Sequence, residues 1–316
     1  MKNGGAVSLQ DMGGFHVGGR KVTVCGQPVQ SLYVTPEIPD HPYDPNGDYI
    51  IEQAYLQYFI PTDPVCELPI LFQHGGGLTG AQWERTPDGR PGWLWRFLQA
   101  GFTCYVIDNV ERGRAGWCTL PDVWSGAALT RPAQEAWWLF RIGMADGFAA
   151  RETFPNCRFD PAYLDALVAS FVPRWFCNGA AQVAALGAAM ETIGPCILIA
   201  HSEGGHLVQS ALFARPDLAP LSILIEPSGY PEPPDLRVLS DNRLLFLMAD
   251  NLDTPFWRAP AAKARQQVAA LRGAGVDATY LELPERGIHG NTHAPMLDNN
   301  SDQIAALVRQ WIAEKL

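Results

Sequence analysis

The run Cys196-Ile197-Leu198-Ile199-Ala200-His201-Ser202-Glu203-Gly204-Gly205-His206 constrains the fold of this chain more than any other stretch. Apolar, strand-like residues lead straight into a serine, and a helical pattern follows over Gly205 to Phe213. Ala200 stands two residues before the serine and Gly204 two after it. A strand that turns into a helix this sharply leaves room only for small side chains there, and it leaves the serine hydroxyl exposed above the sheet. The elbow marks Ser202 as a candidate nucleophile. A hydroxyl alone is a poor nucleophile, so the reading needs a base, an acid and donors for a developing oxyanion.

Candidates for each are present, in the chain order nucleophile, acid, histidine that such elbows use. Upstream, the strand-like Ile70-Leu71-Phe72 leads into Gln73-His74-Gly75-Gly76-Gly77. Glycines after a central strand can turn their N–H groups toward a substrate with no side chain in the way. The expected oxyanion donors are therefore the backbone N–H groups of Glu203 and of Gly76 or Gly77. Downstream, Leu221 to Ile225 ends at Glu226-Pro227, and Gly290 to Asp298 carries His293. Glu226 is the candidate acid and His293 the candidate base. Two choices stay open at this point: His289 lies four residues before His293, and Asp250 or Asp253 follows the next strand, Leu244 to Met248. His201 and His206 flank the serine, but neighbours on a tight elbow point away from it, so both are read as structural. The Glu203 carboxylate is expected to turn away into a polar contact. Asp88, Arg90, Arg112 and Arg114 are grouped as a candidate ion-pair network.

At 316 residues and 47% hydrophobic content the chain can bury one large α/β core with an insertion. A net charge of −10 argues against nucleic acid or an anionic membrane as partner. The seven cysteines are scattered and odd in number, with no disulfide framework and no zinc spacing. Cys118, Cys157 and Cys177 share one stretch, but no bridge among them is expected. Met1 to Val7 has no apolar signal region, and no run of about 18 apolar residues exists to span a bilayer. The expectation is a cytoplasmic protein, or a periplasmic or secreted one had a signal peptide been removed.

The first eleven residues read as disordered, and Phe15 to Tyr33 as a hairpin around Gly18-Gly19 and Gly26-Gln27. Strands follow at Tyr49 to Ile60, Leu68 to Gln73, Phe102 to Ile107 and Ala278 to Leu283, with helices at Trp93 to Ala100, Ala259 to Gly273 and Gln303 to Lys315. Strands alternating with helices imply a mostly parallel central sheet flanked by helices. Residues 115–185 break this rhythm with helical spacing and many aromatics, such as Trp124, Trp137, Phe140 and Phe171. They are read as a helical cap over a core of residues 12–114 and 186–316. A few of the aromatics should line an apolar pocket.

Several blocks carry a resemblance. They are Leu78-Thr79-Gly80, Trp83-Glu84, Thr86-Pro87-Asp88-Gly89-Arg90, Arg112-Gly113-Arg114, Ile225-Glu226-Pro227 and Gly287-Ile288-His289-Gly290-Asn291-Thr292-His293. With them the chain, from about residue 68 to 315, resembles a small family of bacterial α/β-hydrolase carboxylesterases. Some relatives carry two adjacent cysteines beside the oxyanion hole, where this chain has Gly76-Gly77. The resemblance implies an α/β-hydrolase fold and the triad Ser202, Glu226 and His293. It also implies ester hydrolysis with no cofactor or metal, and it admits a homodimer. The resulting expectation is a serine carboxylesterase acting through an acyl-enzyme on small neutral, apolar or aromatic esters. Amide cleavage or acyl transfer by the same triad stays open. So does a non-catalytic ligand-binding role on this fold, against which the full set of candidate residues argues.

Overall fold

Alternating side chains divide the core into two layers, one on each face of a single eight-stranded sheet. The computed structural model describes residues 5–232 and 235–316. The strands of the large sheet are β1 (Leu9–Val24), β4 (Gly47–Pro61), β5 (Ile70–Gln73), β6 (Cys104–Asp108), β7 (Ile197–His201), β8 (Leu221–Ile225), β9 (Arg243–Met248) and β10 (Asp277–Glu282). A small ribbon of β2 (Gln30–Leu32) and β3 (His41–Tyr43) stands apart. In β7, Ile197 and Ile199 enter one core layer while Leu198 and Ala200 enter the other. This is the period of two that a strand buried on both faces requires.

The first layer is covered by α1 (Trp93–Gln99) and α7 (Ser301–Lys315), the second by α4 (Gly179–Ile193), α5 (Glu203–Ala214) and α6 (Arg258–Gly273). The strand order is β1-β4-β6-β5-β7-β8-β9-β10. The pairs β1–β4 and β4–β6 are antiparallel, and every pair from β6 to β10 is parallel. The chain runs from β5 outward to β6 and then returns to the other side of β5 as β7. The order thus reverses between β5 and β7, and the loops leaving their carboxyl ends flank the crevice where doubly wound sheets bind ligands.

The N-terminal segment differs from the expectation. Residues 1–4 lie outside the described residues, but β1 already begins at Leu9 and runs through both glycines to Val24, paired with β4. No hairpin turns at Gly18-Gly19. The glycines instead take φ of +65° and +84°, and a Cβ on Gly18 would lie 3.2 Å from the Ala185 Cα of α4. Their role is to bend the strand and let a helix approach.

Between β6 and α4 the helical spacing yields only two short helices, α2 (Ala133–Leu139) and α3 (Leu164–Ala169), with 3₁₀ turns and loops between them. Pro132, Pro155, Pro161 and Pro173 interrupt any longer run. Trp137 and Phe140 pack into the first core layer. α4 straddles residue 185 and buries Ala185, Leu186, Ala189 and Met190 in the second layer. All seven cysteines are free. No helix of the described residues is long and apolar enough to cross a membrane.

Candidate active site

β7 ends at His201 and α5 begins at Glu203, so Ser202 makes the turn alone, with φ 52° and ψ −119°. Positive φ at a non-glycine residue is strained and needs support from its surroundings. Ser202 N–H donates to the Ile225 carbonyl at 2.9 Å, and its own carbonyl accepts from Gly205 N–H at 2.9 Å and Ser228 N–H at 3.1 Å. The glycines that follow are sterically required. A Cβ on Gly204 would lie 2.6 Å from the His74 carbonyl oxygen, and one on Gly205 2.7 Å from Pro227 Cβ.

The loop after β10 brings His293 to the serine: Ser202 Oγ lies 2.9 Å from His293 Nε2. His293 Nδ1 lies 3.1 Å from Glu226 Oε2, at the end of β8. The loop is tightly fixed. His293 N–H donates to the Phe140 carbonyl at 2.8 Å. The His293 carbonyl lies 2.9 Å from His201 Nε2. Burial first, and the nearby His293 second, push His201 down to about 3, so its ring is neutral and donates from Nε2. Phe140 and Trp257 pack on the His293 ring with centroids 5.5 Å and 4.2 Å away. The fully buried Asp298 accepts from Thr292 N–H (2.8 Å), Thr292 Oγ1 (2.8 Å) and Asn291 Nδ2 (2.9 Å). Arg90, paired with Asp88 at 2.7 Å, donates to the carbonyls of Asp298 and Asn299 at 2.8 Å and 2.9 Å.

Glu226 is fully buried, and its Oε1 accepts from Arg141 Nη2 at 2.6 Å and from Ala249 N–H. Arg141 is anchored in turn by the Asp250 carbonyl at 2.6 Å. Burial alone would raise the Glu226 carboxyl. The Arg141 charge and the hydrogen bond to His293 outweigh it and hold the group at about 2, so it is a carboxylate at neutral pH. Burial likewise lowers His293, against the opposing pull of Glu226, and the imidazole is neutral near pH 7.

Gly76 lines the cavity that holds Ser202, whereas Gly77 lines the adjoining one. Among the described residues neither N–H has a hydrogen-bond acceptor. Glu203 opens α5, where first-turn N–H groups lack intrahelical partners and the helix dipole favours negative charge. Its carboxylate meets Arg174 Nη2 at 2.5 Å and approaches Arg112 Nη2 at 4.0 Å.

The other candidates lie elsewhere. His289 is 57% exposed, 3.8 Å from Asp250 and outside the cavity. Asp250 accepts from Asn291 N–H at 3.2 Å, and Asp253 is exposed. His206 packs against Gly229. The grouped charges form no single network: Asp88 pairs with Arg90, Asp108 with Arg114 at 2.7 Å, and Arg112 with Glu203. Residues that sequence reasoning passed over also meet here. They are Arg141 on Glu226, Asp298 under the His293 loop, and Ser228, whose hydroxyl is 3.3 Å from Ser202 Oγ. The cavity over Ser202 has an apolar wall of Leu78, Leu139, Phe140, Phe256 and Trp257, and it also meets Arg131 and Arg174.

No family model matches the chain. A bacterial esterase solved at atomic resolution is similar over 100% of this chain and 99% of its own, with 29% identity and a TM-score of 0.87. The chain has the α/β-hydrolase fold. A probable secreted lipase from a fungal species is 26% identical, covering 85% of this chain and 88% of that protein. Within the α/β-hydrolase fold the crevice between β5 and β7 is where Ser202, the glycine loop and His293 converge.

Proposed function

We propose that this ester hydrolase works as a serine carboxylesterase, with Ser202 as nucleophile, His293 as base and Glu226 as the acid that orients it. The observation that carries the reading is the continuous chain Ser202 Oγ–His293 Nε2, His293 Nδ1–Glu226 Oε2, at 2.9 Å and 3.1 Å, opening on a cavity at the switch point of the sheet. His293, neutral at pH 7, takes the hydroxyl proton as Oγ attacks the ester carbonyl. Glu226 stabilises the imidazolium that forms, and Arg141 keeps Glu226 ionised. The N–H groups of Glu203 and Gly76 face the developing oxyanion, with the α5 dipole behind them; Gly77, in the adjoining cavity, is the weaker choice. One such donor is worth about 3–4 kcal/mol in the transition state. His293 then protonates the leaving alcohol, and water attacks the acyl-enzyme by the reverse sequence.

The segment 115–185 serves as the cap in this reading, because it supplies Arg131, Leu139, Phe140 and Arg174 to the cavity walls. The apolar wall suits the hydrocarbon part of a small ester. Ser202→Ala should abolish hydrolysis of 4-nitrophenyl butyrate and labelling by a fluorophosphonate while leaving the melting temperature near that of the parent. Retained turnover in the variant would remove Ser202 from the mechanism.

A further inference from the structure

Two guanidiniums reach the Ser202 cavity. Arg131 and Arg174 line it together with the apolar residues, and both also line an adjoining narrow cleft that shares Gly76 and Phe140 with it and reaches Phe171 and Val172. No Asp or Glu is among the described residues that line either cavity. In a chain of net charge −10, that distribution singles out the spot. Each guanidinium is steadied by one carboxylate outside the cavities: Arg131 by Glu135, four residues on, and Arg174 by Glu203 at 2.5 Å. Arg174 is further fixed over the Phe176 ring at 4.2 Å, and its backbone exchanges hydrogen bonds with Leu129 at 2.8 Å and 2.9 Å.

These carboxylates do not exhaust the donors. A guanidinium has five N–H groups. Among the described residues Arg174 Nε is buried with no partner, as are Nε and Nη2 of the fully buried Arg112, which lies behind the cavity walls and reaches Glu203 only at 4.0 Å. Glu203 is thus shared between two guanidiniums. Glu111 is turned to the Trp124 indole at 3.0 Å and the Cys118 amide at 2.7 Å. Buried donors without acceptors are costly, and an anion entering beside Arg174, which lines both cavities, would supply acceptors in a site where water screens little. The Arg174 guanidinium and its partner carboxylate Glu203 both sit against the oxyanion loop, since a Cβ on Gly76 would clash with Arg174 Nη1 and lie 2.8 Å from Glu203 Oε2. An anion held there lies next to the ester carbonyl.

We propose that the ester taken by this site carries a second, ionised carboxylate, bound by Arg131 and Arg174 while the ester carbonyl lies over Ser202 and the hydrocarbon between them rests on Phe140 and Leu78. The inference rests on the serine-esterase reading above, and it replaces the neutral substrate that the apolar residues alone suggest. The structure leaves two sources for the carboxylate, the acyl part and the alcohol part, and paired substrates separate them. For the acyl side, kcat/KM is compared between 4-nitrophenyl hemiglutarate and 4-nitrophenyl butyrate. For the alcohol side, 4-acetoxybenzoate is compared with phenyl acetate.

Both ratios are measured in the parent protein, Arg131→Gln and Arg131→Lys, at low and high salt. Charge-assisted hydrogen bonds are strong enough that one ratio should fall by about ten- to a hundred-fold in Arg131→Gln. It should recover in part in Arg131→Lys and shrink with salt in the parent. The pair that responds identifies the side. Ratios unchanged in both variants, with Ser202 still labelled by a fluorophosphonate, overturn this inference alone. Absence of labelling and of turnover on all four esters overturns the serine-esterase reading and this inference with it.

Discussion

Replacing Glu226 with Gln separates catalysis from stability in a way few other changes here do. The carboxylate is fully buried between Arg141 and His293, at 2.6 Å and 3.1 Å. Gln keeps the volume but removes the charge, and it offers one amide donor and one neutral acceptor oxygen in place of two anionic acceptors. Loss of the stabilised imidazolium and of the enforced tautomer costs on the order of 10⁴ in rate for the serine-protease acid, or about 5 kcal/mol of barrier. The same change leaves the Arg141 guanidinium buried without its counter-ion, a defect of about 3–5 kcal/mol in stability. Adding Arg141→Met should recover much of the stability and none of the rate. The assay is kcat/KM on 4-nitrophenyl butyrate alongside urea unfolding for both singles and the double. A Glu226→Gln enzyme within ten-fold of the parent, or a larger loss in Asp250→Asn or Asp253→Asn, refutes the assignment of the acid.

The pH dependence follows from the same geometry. Burial lowers His293, and only its neutral form accepts the serine proton, so kcat/KM should rise with pH about a midpoint below 6.5; a midpoint above 7 in a pH–rate profile contradicts this. Glu226 is held at about 2 from an ordinary 4.5, so its contribution to stability is full above 4.5 and is lost as pH falls toward 2, which acid unfolding of the parent against Glu226→Gln would reveal. Gly204→Ala places a Cβ 2.6 Å from backbone oxygen of His74, and the elbow cannot yield there; expression as folded protein with parental activity would refute the steric account.

The parallel core was legible because its strands are buried on both faces and read as nearly continuous apolar runs, as Ile197–Ala200 and, with Ser222 inside it, Leu221–Ile225 do. The N-terminus was misread because glycines usually punctuate strands, and only the approach of α4 explains why Gly18 sits inside one. In the segment before α4, the aromatic spacing suggests longer helices than α2 and α3, and its prolines interrupt them. At the site, Ser202, Glu226 and His293 could each be picked from a strand end or a loop motif, and Ser202 and Glu226 each lie within hydrogen-bond distance of His293. Arg141 could not. It sits in irregular chain, 85 residues from its partner Glu226, and nothing in its neighbours signals a buried cation. Arg131 and Arg174 were hidden for the same reason, because a cavity wall built from loops has no period. The Thr86–Arg90 block drew attention as a motif, but its action on the loop around Asp298 emerges only in three dimensions.

The most direct test of the mechanism is to trap the acyl-enzyme. The parent protein would be mixed with excess 4-nitrophenyl butyrate, quenched in acid within the first turnovers, digested and mapped by mass spectrometry. A single butyryl group on the peptide that contains Ser202, absent in Ser202→Ala, is the predicted result. Turnover with that peptide unmodified, or with the butyryl group on another residue, would contradict the account.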